Sequence, residues 1–298
     1  MKKMYLFTVL VCFLTIILRA NFANAENVVV VQKFYAGSGD GYCMREDYNT
    51  NSPTNWDYSH DNTQSTSTDY TSDESHVWSQ WYNVSTKWGI GRSFLPIDTS
   101  DIPTGAMIIS AKLQIYTWYI YDLDNDGEDW ITIVQTTQAN TTSLSNDDFD
   151  QCGSVNNPTE GGLRVDISNM GTDRYQAFIL NDTGISWINA EGITKLGLRE
   201  GHDALDHPIT ANSSSYANIL YWSTSETAGT SQDPYLEITY VCDVNNVPTN
   251  NIVSVMPYFS ADFNNDNNVD VNDITDFINS QKEILNFWIK NIWQNELN

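Results

Sequence analysis

The residues best suited to chemistry lie near the end of the chain, in the stretch DFNNDNNVDVND from Asp262 to Asp273. Counting Asp262 as position 1, oxygen-bearing side chains fall at 3 (Asn264), 5 (Asp266), 7 (Asn268), 9 (Asp270) and 12 (Asp273). This is the spacing of a twelve-residue calcium loop, in which position 7 supplies a backbone carbonyl. Hard oxygen donors at alternating places wrap a hard cation, and Ca2+ tolerates their irregular geometry better than Mg2+ does. Two positions depart from the pattern: Asn267 stands where glycine usually makes the sharp turn, and position 12 is Asp rather than Glu.

A second acidic run, YDLDNDGEDW, places Asp122, Asp124, Asp126 and Gly127 like the first half of such a loop. Its twelfth place is Ile133, so a full loop is excluded, and the alternatives are a partial Ca2+ site or an Asp-Gly hairpin turn. NDDFD (Asn146–Asp150) is a weaker candidate of the same kind. In GHDALDH, the residues His202, Asp203 and His207 have donors that suit zinc, although a strand-and-turn role accounts for the same stretch. Pairs of carboxylates are unavoidable among 38 acidic residues, so they do not mark a glycosidase. There is no Gly-x-Ser-x-Gly elbow, and nothing singles out a nucleophilic cysteine. The expected chemistry is binding without catalysis. For a sugar ligand the useful groups are flat rings, and Tyr116, Trp118, Trp56 and Trp88 are the candidates. Strand alternation predicts that Tyr116, Trp118 and Ile120 face opposite to Leu113, Ile115 and Tyr119.

The elements expected to position these groups are strands. VVVVQKFY (28–35), MIISAKLQIYTWYIY (107–121), WITIVQTT (130–137), LRVDIS (163–168), KLGLRE (195–200), NILYWST (218–224) and YLEITYV (235–241) are short runs of β-branched and aromatic residues. Turn residues bound them, which predicts an all-β, antiparallel sandwich with one interrupting helix near 173–180. Residues 44–76 read as a long ordered excursion, and CDVNNVPTNN (242–251) as a linker boundary. The apolar spacing of Ile274, Phe277, Ile278, Leu285, Trp288, Ile289 and Ile292 predicts a helix after the calcium loop.

Lys2 and Lys3, the apolar run 6–18 and the Ala23–Ala25 stretch form a secretory signal peptide, expected to be cut before Glu26. No later segment is long and apolar enough to span a bilayer. The remaining 273 residues carry 11 basic and 38 acidic side chains, a net charge of −27 that argues against nucleic acid and anionic lipid as partners. Cys43, Cys152 and Cys242 allow one disulfide at most, and the sequence does not choose the pair.

Three blocks carry a resemblance. GIGRSFLPIDTSDIPTGAMIISAKLQIY (89–116), LGLREGHD (196–203) and YWSTSETAGTSQDPYLEITY (221–240) resemble, in order, the blocks of DNRLRE-type domains. These domains are similar to carbohydrate-binding β-sandwich modules of secreted and surface bacterial proteins. The resemblance implies a jelly-roll-like sandwich over 26–242, a linker over 243–259 and an extracellular location. With Val269 at position 8 and Asp273 at position 12, residues 260–298 resemble a single type I dockerin repeat, an EF-hand-like segment that implies Ca2+ and a cohesin-like partner. Dockerins normally carry two repeats and this sequence shows one. The expected function is non-catalytic attachment to extracellular polysaccharide or to a surface assembly. Two alternatives stay open: a structural or adhesion protein that binds protein partners, and an accessory subunit of a polysaccharide-degrading complex.

Overall fold

The computed structural model describes residues 27–47, 55–211 and 215–257. The signal peptide, the Asp262–Asp273 loop and the helix expected after it lie outside the described residues. Among the described residues there are thirteen strands: β1 (Asn27–Tyr35), β2 (Gly41–Asp47), β3 (Ser67–Asp69), β4 (Glu74–Tyr82), β5 (Lys87–Asp98), β6 (Met107–Asp122), β7 (Trp130–Gln135), β8 (Val165–Asp166), β9 (Arg174–Ile179), β10 (Ile193–Glu200), β11 (Tyr216–Ser223), β12 (Tyr235–Asp243) and β13 (Ile252–Pro257). Short helices α1 (Asn55–His60), α2 (Asp182–Ser186) and α3 (Gly201–Leu205) interrupt them. The hydrogen-bonded order is β13-β1-β12-β6-β11-β4-β5-β10-β7-β8, with β2, β3 and β9 joined at the side. The ladders around β2 through β12 are antiparallel. The described residues therefore form a mostly antiparallel β-sheet, consistent with an all-β fold.

Alternation places the core. In β1 the residues Val28, Val30, Gln32 and Phe34 turn inward, and in β12 Leu236, Ile238 and Tyr240 do the same, while Glu237 pairs with Lys112 outside. Gln32 is buried but satisfied, accepting from the Tyr240 hydroxyl at 2.6 Å and donating to the Asn250 carbonyl. Strand β5 is buried from Lys87 to Ile97 because both its faces are covered. Leu95 and Ile97 belong to the main core with Leu113, Phe178, Leu196, Leu198 and Trp222. Trp88, Ile90 and Phe94 belong to a second core with Trp56, Phe149, Cys43 and Cys152.

Strand β6 is the pivot. Lys112 pairs with both Glu237 of β12 and Ile179 of β9, and Thr117 pairs with both Trp222 of β11 and Arg174 of β9. Strands β12 and β11 therefore follow one another along the same edge of β6, with β9 on the other. Where β11 takes over, Tyr221 opposes Tyr119 and Trp222 opposes Thr117, which leaves Trp118 as an extra residue in a bulge.

Two expectations are corrected. The helix predicted near 173–180 is β9, in which Gln176 and Phe178 turn inward and Phe178 faces Leu113; cross-strand burial overrides a spacing that also fits a helix. The stretch taken as a linker after residue 242 contains β13, and the compact unit runs from Val28 to Met256. All three described cysteines are free and buried, so no disulfide joins any pair of them.

Candidate functional site

The bulge at Trp118 creates an exposed aromatic strip. Before it, Ala111, Leu113, Ile115 and Thr117 face the core; after it the alternation is broken, and Trp118 (37 % exposed), Tyr119 (42 %) and Tyr121 (37 %) all meet solvent. Tyr119 was expected on the core side with Leu113 and Ile115, and the extra residue reverses it. Across the neighbouring strands, Tyr119 opposes Tyr221, which opposes His76. The rings form a chain: Trp118 to Tyr221 at 5.2 Å, Tyr221 to His76 at 4.9 Å, and His76 to Tyr42 at 3.9 Å. Trp78 closes the chain from beneath, 4.3 Å from His76. Its indole lies over Gly91, where a Cβ would come within 1.9 Å of the ring. The planes are tilted, from 35° between Tyr42 and His76 to 80° between Tyr119 and Tyr121, so they form a ridged strip and not a flat platform.

Acidic side chains rim one end of the strip. Burial first, and then the carboxylates of Asp69 and Glu74, push the Tyr42 phenol up to about 12, so it stays a neutral donor and acceptor. Burial drives His76 down to about 4, leaving it a neutral ring at physiological pH.

The other aromatic candidates are not part of this strip. Tyr116 is half-buried in a separate ladder with Tyr175, Tyr235 and Tyr35. Trp56 and Trp88 lie in the second core, 2 % and 8 % exposed and packed edge-to-face at 5.5 Å, which closes both to a stacking ligand. The excursion that carries Trp56 folds back over β5, and this long-range packing leaves no local mark in the sequence.

Beneath that core sits a buried ionic cluster. On β5 and β10, Arg92 and Arg199 point to the same side and converge on Asp203 of α3. Arg92 donates to Asp203 through Nε and Nη2 (2.8 Å to Oδ1), and Arg199 donates through Nε (2.6 Å to Oδ2) and Nη2 (2.8 Å to Oδ1). The remaining guanidinium hydrogens reach the carbonyls of His60, Phe149, Ser154 and Val155, tying α1 and the loop after β7 to the sheet. Burial would push Asp203 up, but Arg199 and Arg92 hold it well below the usual carboxylate range. His60 belongs to the same cluster. Its Nε2 meets the Asp203 carbonyl at 2.9 Å, and its Nδ1 meets Asp61 at 2.7 Å and Asp206 at 3.1 Å.

The sequence-derived metal residues are redistributed. Asp203 is locked between the two arginines, so the trio His202, Asp203 and His207 does not converge. Asp122 leaves the other two aspartates and faces Asp129, whose charge, after burial, raises it. Asp124 and Asp126 instead meet His202, with one ligating atom from each lying within 4.8 Å of the others. In the run 146–150, Asp148 accepts from the Ser145 backbone at 2.7 Å, a local turn contact, and Asp147 accepts from the distant Gln64 side chain at 2.6 Å. Sequence spacing cannot find the His202 grouping, because 76 residues separate it from Asp126.

Compared with known proteins, the chain matches no family model, and no curated protein matches it either.

Proposed function

We propose that this chain is an exported, non-catalytic binding protein that attaches to extracellular polysaccharide through the aromatic strip of β6, β11, β4 and β2. The observation that carries the reading is the run Trp118, Tyr119, Tyr121, Tyr221, His76 and Tyr42 along one sheet face. Aromatic faces stack on the C–H faces of pyranose rings, and the phenols and rim carboxylates of Asp69 and Glu74 suit sugar hydroxyls. The tilt between rings favours a twisted single glycan chain over a flat crystalline surface. In this reading the strands form a jelly-roll-like sandwich of the DNRLRE type, with a calcium-stabilised, dockerin-like segment over 260–298 that recruits the protein to a surface assembly.

Affinity electrophoresis through gels cast with soluble β-glucan, xylan, mannan or galactan tests the reading. At least one polysaccharide should retard the protein, and a Trp118→Ala, Tyr119→Ala, Tyr221→Ala variant should migrate freely. Equal retardation of both proteins would remove the strip from the account. A protein retarded by none of the four would favour the adhesion alternative.

A further inference from the structure

The loop between β6 and β7 and the segment after β10 meet at a second cluster, which the glycan reading does not use. Asp124 (5 % exposed), Asp126 and Glu128 come from the loop, and the fully buried His202 comes from α3. We propose that Asp124, Asp126 and His202, with Glu128 alongside, form a site for one divalent transition-metal ion of the Mn2+ to Zn2+ class.

His202 is held facing the cluster by a carboxylate behind it. Its Nδ1 lies 2.9 Å from Oε1 of Glu200, itself fully buried and held by Asn218. That bond assigns the Nδ1 hydrogen and turns Nε2 toward the three carboxylates. Metal-ligating histidines are held by an outer carboxylate in this way. Nε2 lies 3.3 Å from Asp126 Oδ2, 3.6 Å from Asp124 Oδ2 and 3.9 Å from Glu128 Oε2. Ordinary N–H···O bonds run about 2.7–3.2 Å, so this fully buried nitrogen makes only a long hydrogen bond to Asp126 and lies beyond bonding range of Asp124 and Glu128. Around a tetrahedral ion with bonds of about 2.0–2.2 Å, neighbouring ligand atoms lie roughly 3.3–3.6 Å apart. The nearer two of the three distances match that edge.

His60 supplies an internal contrast. It too faces two carboxylates, but at 2.7 and 3.1 Å, where a proton is the natural bridge. The charge balance points the same way. Among the described residues, Asp124, Asp126, Glu128 and Glu200 form ion pairs with His202 and His207, and no lysine or arginine bridges them. An imidazole among carboxylates, with no thiolate, selects the borderline Mn2+ to Zn2+ class, whereas Ca2+ prefers an all-oxygen set. The ion would clamp the β6–β7 loop onto α3, where Thr210 already donates its backbone N–H to Asp124.

The test uses the full-length mature protein, stripped with EDTA and held in excess Ca2+ so that any site at Asp262–Asp273 is occupied. Zn2+ and Mn2+ are titrated by calorimetry, with the melting temperature read in parallel. One equivalent of either ion should bind and raise the melting temperature. Asp126→Asn, at an exposed turn, should stay folded by circular dichroism and weaken binding at least about tenfold. Glu200→Gln, behind the histidine, should weaken it by about 10–100-fold. An Asp262→Ala, Asp266→Ala variant should bind as the parent does. The proposal is overturned if neither ion binds, if Asp126→Asn binds unchanged, or if excess Ca2+ displaces the metal. None of these outcomes bears on glycan retardation, so the two readings fail separately.

Discussion

Replacing Asp203 by asparagine should cost much of the stability of the fold. The carboxylate lies between two guanidiniums that are 0 % and 1 % exposed, and it accepts charged hydrogen bonds from both, four of them between 2.6 and 3.1 Å. Asparagine keeps the volume and one acceptor but removes the charge, leaving two buried cations side by side on β5 and β10. Breaking a buried ion pair by removing one partner costs about 3–5 kcal/mol, a large share of the 5–15 kcal/mol that holds a typical domain together. The pH dependence gives a second reading. A carboxylate whose folded pKa is depressed contributes stability that is present above its unfolded value, near 3.8, and is lost as pH falls below it toward the folded value. The parent should therefore lose this part of its stability below about pH 4, and the variant should lack that component of the acid limb. Urea unfolding followed by tryptophan fluorescence at pH 7 and at pH 3 measures both. A variant within about 1 kcal/mol of the parent at pH 7, with the same acid limb, would refute the idea that this cluster pins the loops to the sheet.

Other outcomes follow from the same geometry. Gly91→Val should destabilise by about 1–3 kcal/mol or more and shift the near-ultraviolet dichroism of Trp78, because the new Cβ would lie 1.9 Å from the indole. His76 is held neutral by burial, so the unfolded chain takes up its proton first. Stability should fall as pH drops from about 6.5 to about 4, by up to roughly 3 kcal/mol, and His76→Phe should remove that slope in urea titrations. The thiols of Cys43 and Cys152 are buried, and burial pushes Cys152 up to about 12, so neither should react with a thiol reagent at pH 8 until the protein unfolds.

The strands were legible where one face of each is buried. The alternation of β1 and β12, and the β-branched run of β7, announce themselves because each side chain's fate is set by its own strand. The helix expected at 173–180 was misread because DRYQAFIL satisfies both periods, and only the pairing of Phe178 with Leu113 decides between them. β13 was missed because its residues follow a Pro- and Asn-rich stretch that reads as a linker. The GIGRSFLP and LGLREGHD blocks that hold Arg92 and Arg199 were singled out in the sequence, but the arginines themselves were not. Their convergence on one aspartate was not legible, since it depends on the register of β5 against β10. The aromatic strip was half visible: Trp118 was singled out, but Tyr119, Tyr221 and His76 join it only through a one-residue bulge and two cross-strand ladders. Trp56 and Trp88 show the converse, rings in a polar stretch that folds back into a core.

The central claim, that the Trp118 strip binds glycan, is tested most directly by the indole N–H resonances of 15N-labelled protein. Oligosaccharides released from the four polysaccharides would be added stepwise. The account expects the Trp118 resonance, assigned with Trp118→Phe, to shift and saturate with at least one mixture, while those of buried Trp56, Trp88 and Trp222 stay in place. A spectrum in which Trp118 never moves, or in which only the buried tryptophans respond, would contradict it.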